Sequence, residues 1–396
     1  MSQKLIDHSP DLKRLQDEGY EIEFKGGYLI THHIPYVNKD KRVLFGKLIV
    51  QLTLNGYTTS YPRLTGKHVI HFMGDFPCHK DGTPISAISH ASPNQKLTDD
   101  IIMNYSFSNK PPNDYSNYYE QITRYIEIIS SPAISLDPSI EVQTYKVIDS
   151  TDDDVFQYAD TCSSRANTYY LNNKFRGQKI AIIGLGGTGS YILDLVAKTP
   201  VSEIHLYDGD KFLQHNAFRA PSAPSKEMLG NQKYKADYFA SLYLNMHKGI
   251  MPHPKYVTKE NIDELSLMSH VFICIDNDSS RKTIVEYLLK QGISFIDVGM
   301  GVNIVRDKLI GIVRTTSASS VKSDHIIKRL PLSENNEAQN EYSTNIQIAD
   351  LNALNAVFAV IKWKKMNGFY QDLVQEFHST YSINDSDLLN EETIHI

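Results

Sequence analysis

The chain has 396 residues, of which 41% are hydrophobic and 22% charged, a globular composition that allows two to three domains with real cores. Forty Lys and Arg against 46 Asp and Glu leave a formal charge of −6, which excludes a basic chain that coats nucleic acid or anionic lipid. The same figures exclude a collagen-like or disordered tail protein. The first ten residues lack the apolar core of a signal peptide, and no apolar run approaches the ~18 residues that span a bilayer. Cys78, Cys162 and Cys274 are odd in number and widely spaced, which argues against a disulfide framework and a four-cysteine zinc site. The expectation is a cytoplasmic protein with no membrane or nucleic-acid partner.

Residues 1–150 read as an α+β domain. Extended stretches are expected over 28–34, 48–54 and 68–73, with a hairpin signal at Asn55-Gly56. Tyr118, Ile122, Ile126 and Ile129 recur at helical spacing, and Pro132 and Pro138 are expected to break the pattern. The acidic stretch 149–154 is the preferred domain boundary. His68, His71, Cys78, His79 and His90 fit no zinc spacing well.

From Lys179 strands alternate with helices. Strands are expected over 179–183, 203–207, 270–275, 294–298 and 309–313, and helices over 190–198, 226–247 and 280–290. This alternation implies a Rossmann-like, doubly wound and mostly parallel α/β sheet with helices on both faces. A long polar crossover loop spans 315–342, followed by an apolar helix over 346–363 suited to a buried or dimer-facing position.

Chemistry concentrates at Gly184-Leu-Gly186-Gly187-Thr-Gly189, between a strand and a helix. Glycines there permit a tight turn and let backbone N–H groups approach phosphates at a positive helix end. Asp208 ends the next strand, where a ribose-binding acid sits in dinucleotide and ATP folds alike.

The residues after Asp208 separate those two folds. Asp208-Gly-Asp210-Lys-Phe-Leu-Gln-His-Asn216-Ala-Phe-Arg219 resembles the D-x-D-x-V-x-x-x-N-L-x-R signature of the ThiF/MoeB family, the ubiquitin-activating-enzyme superfamily. Gly230-Asn-Gln-Lys233 is similar to its G-x-x-K, and Cys274-Ile-Asp276-Asn277 with Arg281 to its C-x-D-N…R. Arg165 lies where these enzymes carry an arginine that reaches ATP, commonly that of a dimer partner.

The resemblance implies an adenylation domain over 165–380, which would bind ATP and Mg2+ and adenylate the C-terminal carboxylate of a ubiquitin-like protein ending in glycine. A peptide or small-molecule carboxylate, or a nucleotide-binding scaffold without activity, are the alternatives. Lys233, Arg219 and Arg165 suit the phosphates by charge. Asp276 suits Mg2+ through oxygen, or else caps the following helix; Asn277 suits the nucleotide, or an Asx turn. Asn216 offers a donor and an acceptor, and Asp208, with Asp210 near it, suits ribose hydroxyls. Hydride transfer has no use for this set.

Many family members carry a catalytic cysteine after the fifth strand, where this chain has Arg314-Thr-Thr316-Ser317-Ala-Ser319. Either the acyl-adenylate passes directly to a partner, or Thr316, Ser317 or Ser319 accepts the acyl group with Asp324-His325 as base. Ser317 is the hydroxyl candidate, and Cys78, beside His79, the thiol candidate. Residues 1–150 resemble a domain fused ahead of ThiF-like domains in bacterial ubiquitin-like conjugation modules. Binding the modifier or a ubiquitin-conjugating-like enzyme is its expected task, and a homodimer the expected assembly.

Overall fold

The structure is a computed structural model that describes residues 2–56, 58–61, 68–98, 101–146, 148, 155–158, 160, 162–163, 168–332 and 346–394. The chain divides into two compact units, residues 1–154 with 158–173, and residues 155–157 with 174–396.

The first unit is built on an antiparallel sheet. Its strands are β1 (Ile22–Lys25), β2 (Tyr28–Val37), β3 (Val43–Gln51), β6 (Val69–Met73), β7 (Ser89–Ala91) and β10 (Tyr105–Ser108), in the order β1-β2-β3-β6-β10-β7. Two short hairpins, β4 (Leu54–Asn55) with β5 (Thr58–Thr59) and β8 (Gln95–Thr98) with β9 (Ile101–Met103), complete it. The helix Tyr118–Leu136 buries Tyr118, Ile122, Tyr125, Ile126 and Ile129 on one stripe. Two of its buried tyrosines are satisfied: the Tyr125 hydroxyl donates to the His68 carbonyl at 2.7 Å and the Tyr118 hydroxyl accepts from Thr53 N–H at 2.7 Å. Pro132 does not end this helix, which runs through it to Leu136.

The second unit holds an eight-stranded sheet. Five parallel strands, β11 (Lys179–Ile183), β12 (Glu203–Tyr207), β13 (Ile250–His253), β14 (His270–Ile273) and β15 (Ser294–Val305), are followed by β16 (Lys308–Ala318), β17 (His378–Ser382) and β18 (Asp387–Glu391), which run antiparallel. The order β13-β12-β11-β14-β15-β16-β17-β18 is that of a doubly wound fold with an antiparallel extension. Alternate residues serve opposite faces. Ile180, Ile182, Leu206 and Phe272 pack with Trp363 and Leu193 on one side, while Ala181, Ile183, Val271 and Ile273 pack with Leu265, Ile284 and Leu288 on the other.

Three sequence expectations change here. The segment 226–247 is two helices, Lys226–Gly230 and Lys235–Tyr243, separated by Gln232 at φ 43°. The polar stretch at 315 is not loop: Thr315–Ala318 complete β16, satisfied by neighbours on both sides. Ile326–Arg329 form a further helical turn within that stretch, and residues 333–345 lie outside the described residues.

Candidate active site

Ligands of doubly wound sheets lie beyond the strand C-termini where the winding reverses, here between β11 and β14. A cavity of about 800 Å³ opens at that place. Gly184, Gly186, Gly187, Asp208, Asp210, Arg219, Asp276 and Asn277 all line it, residues drawn from three separate motifs.

Two glycines of the loop are dictated by geometry. Gly184 has φ +89°, and a Cβ there would stand 2.6 Å from the Cys274 carbonyl oxygen. A Cβ at Gly189 would overlap the Gly184 carbonyl oxygen. Gly189 does not line the cavity, so its task is the close loop-to-helix packing. The helix Gly187–Val196 starts at Gly186 with no side-chain cap, which leaves its first-turn N–H groups to the cavity.

Asp208 is 5% exposed and holds the loop in place: its carboxylate accepts from Leu185 N–H at 2.6 Å and from Asp210 N–H at 2.8 Å. Burial pushes its carboxyl up, opposed by Lys235 and these two N–H groups. The Lys235 ammonium stands 3.7 Å from Asp208 and 2.7 Å from Asp210. Burial would raise Asp210 as well, but Lys235 and the Tyr256 hydroxyl that donates to it hold its carboxyl below the usual range. The Tyr256 ring lies over Gly209, and the bond to Asp210 pushes its phenol up to about 12.

The lysine of this site is Lys235, not Lys233. Lys233 is exposed in the connection before the helix, its carbonyl accepting from Phe212 N–H at 2.8 Å, and it does not line the cavity. Lys235 is 6% exposed, opens the helix Lys235–Tyr243 and does line it. The G-x-x-K spacing pointed two residues early, and only the acids that draw Lys235 inward reveal it.

Asn216 is 2% exposed and does not line the cavity; its Oδ1 accepts from Leu213 N–H at 2.9 Å. Asn216 Nδ2 and Arg219 Nε are buried without a hydrogen-bond partner among the described residues. At the end of β14 the neighbours Asp276 and Asn277 separate in role. Asn277 caps the helix Asp278–Gln291, its Oδ1 accepting from Ser280 N–H at 2.8 Å. Asp276 is exposed to the cavity and makes no hydrogen bond or ion pair with a described residue. Arg165 lies outside the described residues.

These features fit Mg2+ and ATP. The orphaned Arg219 Nε, an uncapped helix end and the Lys235 ammonium would suit phosphate oxygens, and Asp276 would offer Mg2+ a hard oxygen ligand.

The expected hydroxyl nucleophiles do not line this cavity, and the expected thiol is buried in its own unit. Ser317 is 1% exposed inside β16, its hydroxyl 3.5 Å from the Phe377 carbonyl. His325 bonds the main-chain carbonyl of Ser317, not its hydroxyl, so it is not placed as that hydroxyl's base. Thr316 is fully buried and bonded to Arg314 and His378, and Ser319 lies beyond the strand outside the cavity lining. Cys78 is 1% exposed, its Sγ facing the Phe76 carbonyl, and burial pushes its thiol up, away from the reactive thiolate.

Sequence reasoning passed over Arg314, Asp297 and Asn355. Asn355 lines the cavity with its Oδ1 buried and without a partner among the described residues. Asp297 is fully buried behind the cavity wall, receiving Arg281 Nε at 3.0 Å and Arg314 Nη2 at 2.6 Å.

Residues 10–161 match a domain of unknown function, DUF6791, and residues 166–305 match the ThiF family. No curated protein matches the chain. Among solved structures, PaaA is 18% identical, with 57% of this chain and 76% of that one covered at a TM-score of 0.45. MccB of E. coli is 15% identical, with 56% and 64% covered at 0.43. A structure of E. coli MccB with ATP is 16% identical, with 58% and 69% covered at 0.42. Residues 166–305 are thus similar to the ThiF family, and the stretch that precedes them to DUF6791.

Proposed function

We propose that this chain is an ATP-dependent activating enzyme that adenylates the C-terminal carboxylate of a ubiquitin-like protein. The observation that carries the reading is one cavity joining the glycine loop, Asp208, Arg219, Lys235 and Asp276 at the switch point of the sheet. A carboxylate oxygen would form the new bond to the α-phosphorus while the α–β anhydride bond breaks and pyrophosphate leaves with the electron pair. Mg·ATP supplies that electrophile and leaving group when bound.

The residues of the chain divide the remaining work. The Gly186–Gly187 N–H groups bind phosphate oxygens, and Arg219 and Lys235 offset the charge that grows on the leaving group. Asp276 holds Mg2+ through oxygen. Asp208 retains lone pairs beyond its two N–H bonds and takes a ribose hydroxyl. With Ser317 buried outside the cavity lining and the Cys78 thiol buried in its own unit, the acyl-adenylate passes to a partner's nucleophile. The N-terminal unit serves as the seat for the modifier or for a ubiquitin-conjugating-like enzyme.

ATP–pyrophosphate exchange with small proteins encoded beside this chain tests the reading. Exchange that requires one protein's C-terminal glycine is the expected result. Exchange driven by a short peptide or a small carboxylic acid alone would replace the substrate class, and ATP binding without exchange under any of them would make the chain a scaffold.

A further inference from the structure

The cavity continues beyond the phosphate loop toward β16 and β17, where Gly299, Met300, Ile312, Arg314 and Thr380 line it. Nothing in the nucleotide assignment uses this end. Its chemistry comes from cross-strand register. Asp297 pairs with Thr316, Thr316 with His378, and His378 with Glu391, one row of side chains across four strands. Arg314 lies in the adjacent row between Gly299 and Thr380, so its reach to Asp297 is a diagonal contact.

The arginine bond in this row has one possible direction. Arginine only donates, so Arg314 Nη1 donates to Thr316 Oγ1 at 2.8 Å and leaves the threonine proton free. The same hydroxyl is hydrogen-bonded to His378 Nδ1 at 2.9 Å, with the direction set by the ring tautomer. Burial, with Arg329 and Arg314 nearby, pushes His378 down to about 4, so the ring is neutral. Arg314 is thereby held from two sides, and Gly299 makes room: a Cβ there would stand 2.6 Å from Arg314 Nη2.

The two arginines on Asp297 differ in what they have left. Arg281 spends Nε on Asp297, Nη1 on Asp278 and Nη2 on the Ile275 carbonyl. Arg314 uses one donor each of Nη1 and Nη2, and its other N–H groups have no partner among the described residues while the side chain lines the cavity. A fork of free N–H groups on a guanidinium fixed from behind matches the two oxygens of a carboxylate. Strand spacing places β16 about 14 Å from β11, and the lean of Arg314 over Gly299 shortens that by about one strand.

We infer that Arg314 is the substrate-carboxylate seat of this cavity, holding the free carboxylate of a peptide chain end beside the nucleotide phosphates before transfer. This rests on the adenylation reading for its purpose, though not for its geometry. The test titrates glycylglycine and glycylglycine amide onto the full chain, with and without a non-hydrolysable ATP analogue, following the buried Trp363 and the heat of binding.

The expected result is that the free acid binds the wild type at least tenfold more tightly than the amide. Arg314→Gln should lose at least tenfold in acid affinity with analogue affinity unchanged within twofold. Gly299→Ala, which displaces the guanidinium while keeping it, should weaken acid binding in the same sense. Equal binding of acid and amide, no acid binding by the wild type, or unchanged acid affinity in both variants would overturn the inference. Loss of analogue binding in Arg314→Gln would also overturn it, making Arg314 a phosphate contact. Acid binding by a wild type that binds no analogue would instead overturn the adenylation reading and leave the seat standing.

Discussion

Asp276 and Asn277 are adjacent, both are exposed at the cavity, and their side chains do different things. Asn277 caps a 14-residue helix, so Asn277→Ala should cost about 1 kcal/mol of unfolding free energy, measured by urea denaturation. Asp276 bonds no described residue, so Asp276→Asn should leave stability within about 0.5 kcal/mol. The same change should lower Mg2+-dependent pyrophosphate exchange by two orders of magnitude or more; full exchange would remove Asp276 from the metal. The lysines give a second contrast. Lys235→Gln should weaken ATP-analogue binding at least tenfold in calorimetry, whereas Lys233→Gln should change it less than twofold. Lys233 has the motif spacing, but Lys235 has two carboxylates within 4 Å, and charge proximity decides which cation faces phosphate.

At the scale of elements, the glycine loop and the helix it enters stand or fall by backbone approach. Gly189→Ala drives a methyl group into the Gly184 carbonyl oxygen, backbone against backbone, with no side chain able to yield. It should lower stability by about 1–3 kcal/mol or more and abolish nucleotide binding, read by thermal unfolding with and without ATP analogue. An unchanged unfolding temperature would show that the loop and helix part more easily than their contact implies. This loop was legible in the sequence because glycine spacing encodes the turn directly. The parallel strands were legible for a related reason: helices cover both faces, so Lys179–Ile183 and His270–Ile273 read as short apolar runs. β13 was not, because Pro252 interrupts a strand only four residues long with two of them exposed. Thr315-Thr316-Ser317 reads as a loop, yet its hydroxyls and backbone find partners on β15 and β17 that no local pattern announces. The Arg281–Asp297–Arg314 contact was hidden by the same cause. Its members are 16 and 17 residues apart: Arg281 reaches Asp297 from the helix Asp278–Gln291, and antiparallel register brings Arg314 to it.

For the whole molecule, the feature with the widest consequence is the number of histidines the second unit keeps neutral. His247, His253, His270, His325 and His378 are all held below the ordinary histidine range, chiefly by burial, with His270 pushed down to about 3 and His378 to about 4. Above pH 6.5 neither the folded nor the unfolded chain protonates them, and the full stability is present. Below pH 6.5 the unfolded chain takes up protons that the folded unit refuses, so stability falls as pH falls. For His378 the loss continues to about pH 4, and for His270 to about pH 3, where the folded forms protonate as well. Each histidine kept neutral contributes roughly 1.4 kcal/mol per pH unit within its window. Trp363, the one tryptophan of the chain, is fully buried in this unit and reports its unfolding by fluorescence. Urea titrations between pH 7.5 and 4.5 should therefore show a steady loss of unfolding free energy below pH 6.5. His378→Gln, which keeps a hydrogen-bond acceptor for Thr316 but cannot titrate, should lose less over the same range, by about one histidine's share. A flat wild-type profile would mean that these rings gain protons in place, and the neutral His378 ring bonded to Thr316 would then be lost near pH 6 instead of pH 4.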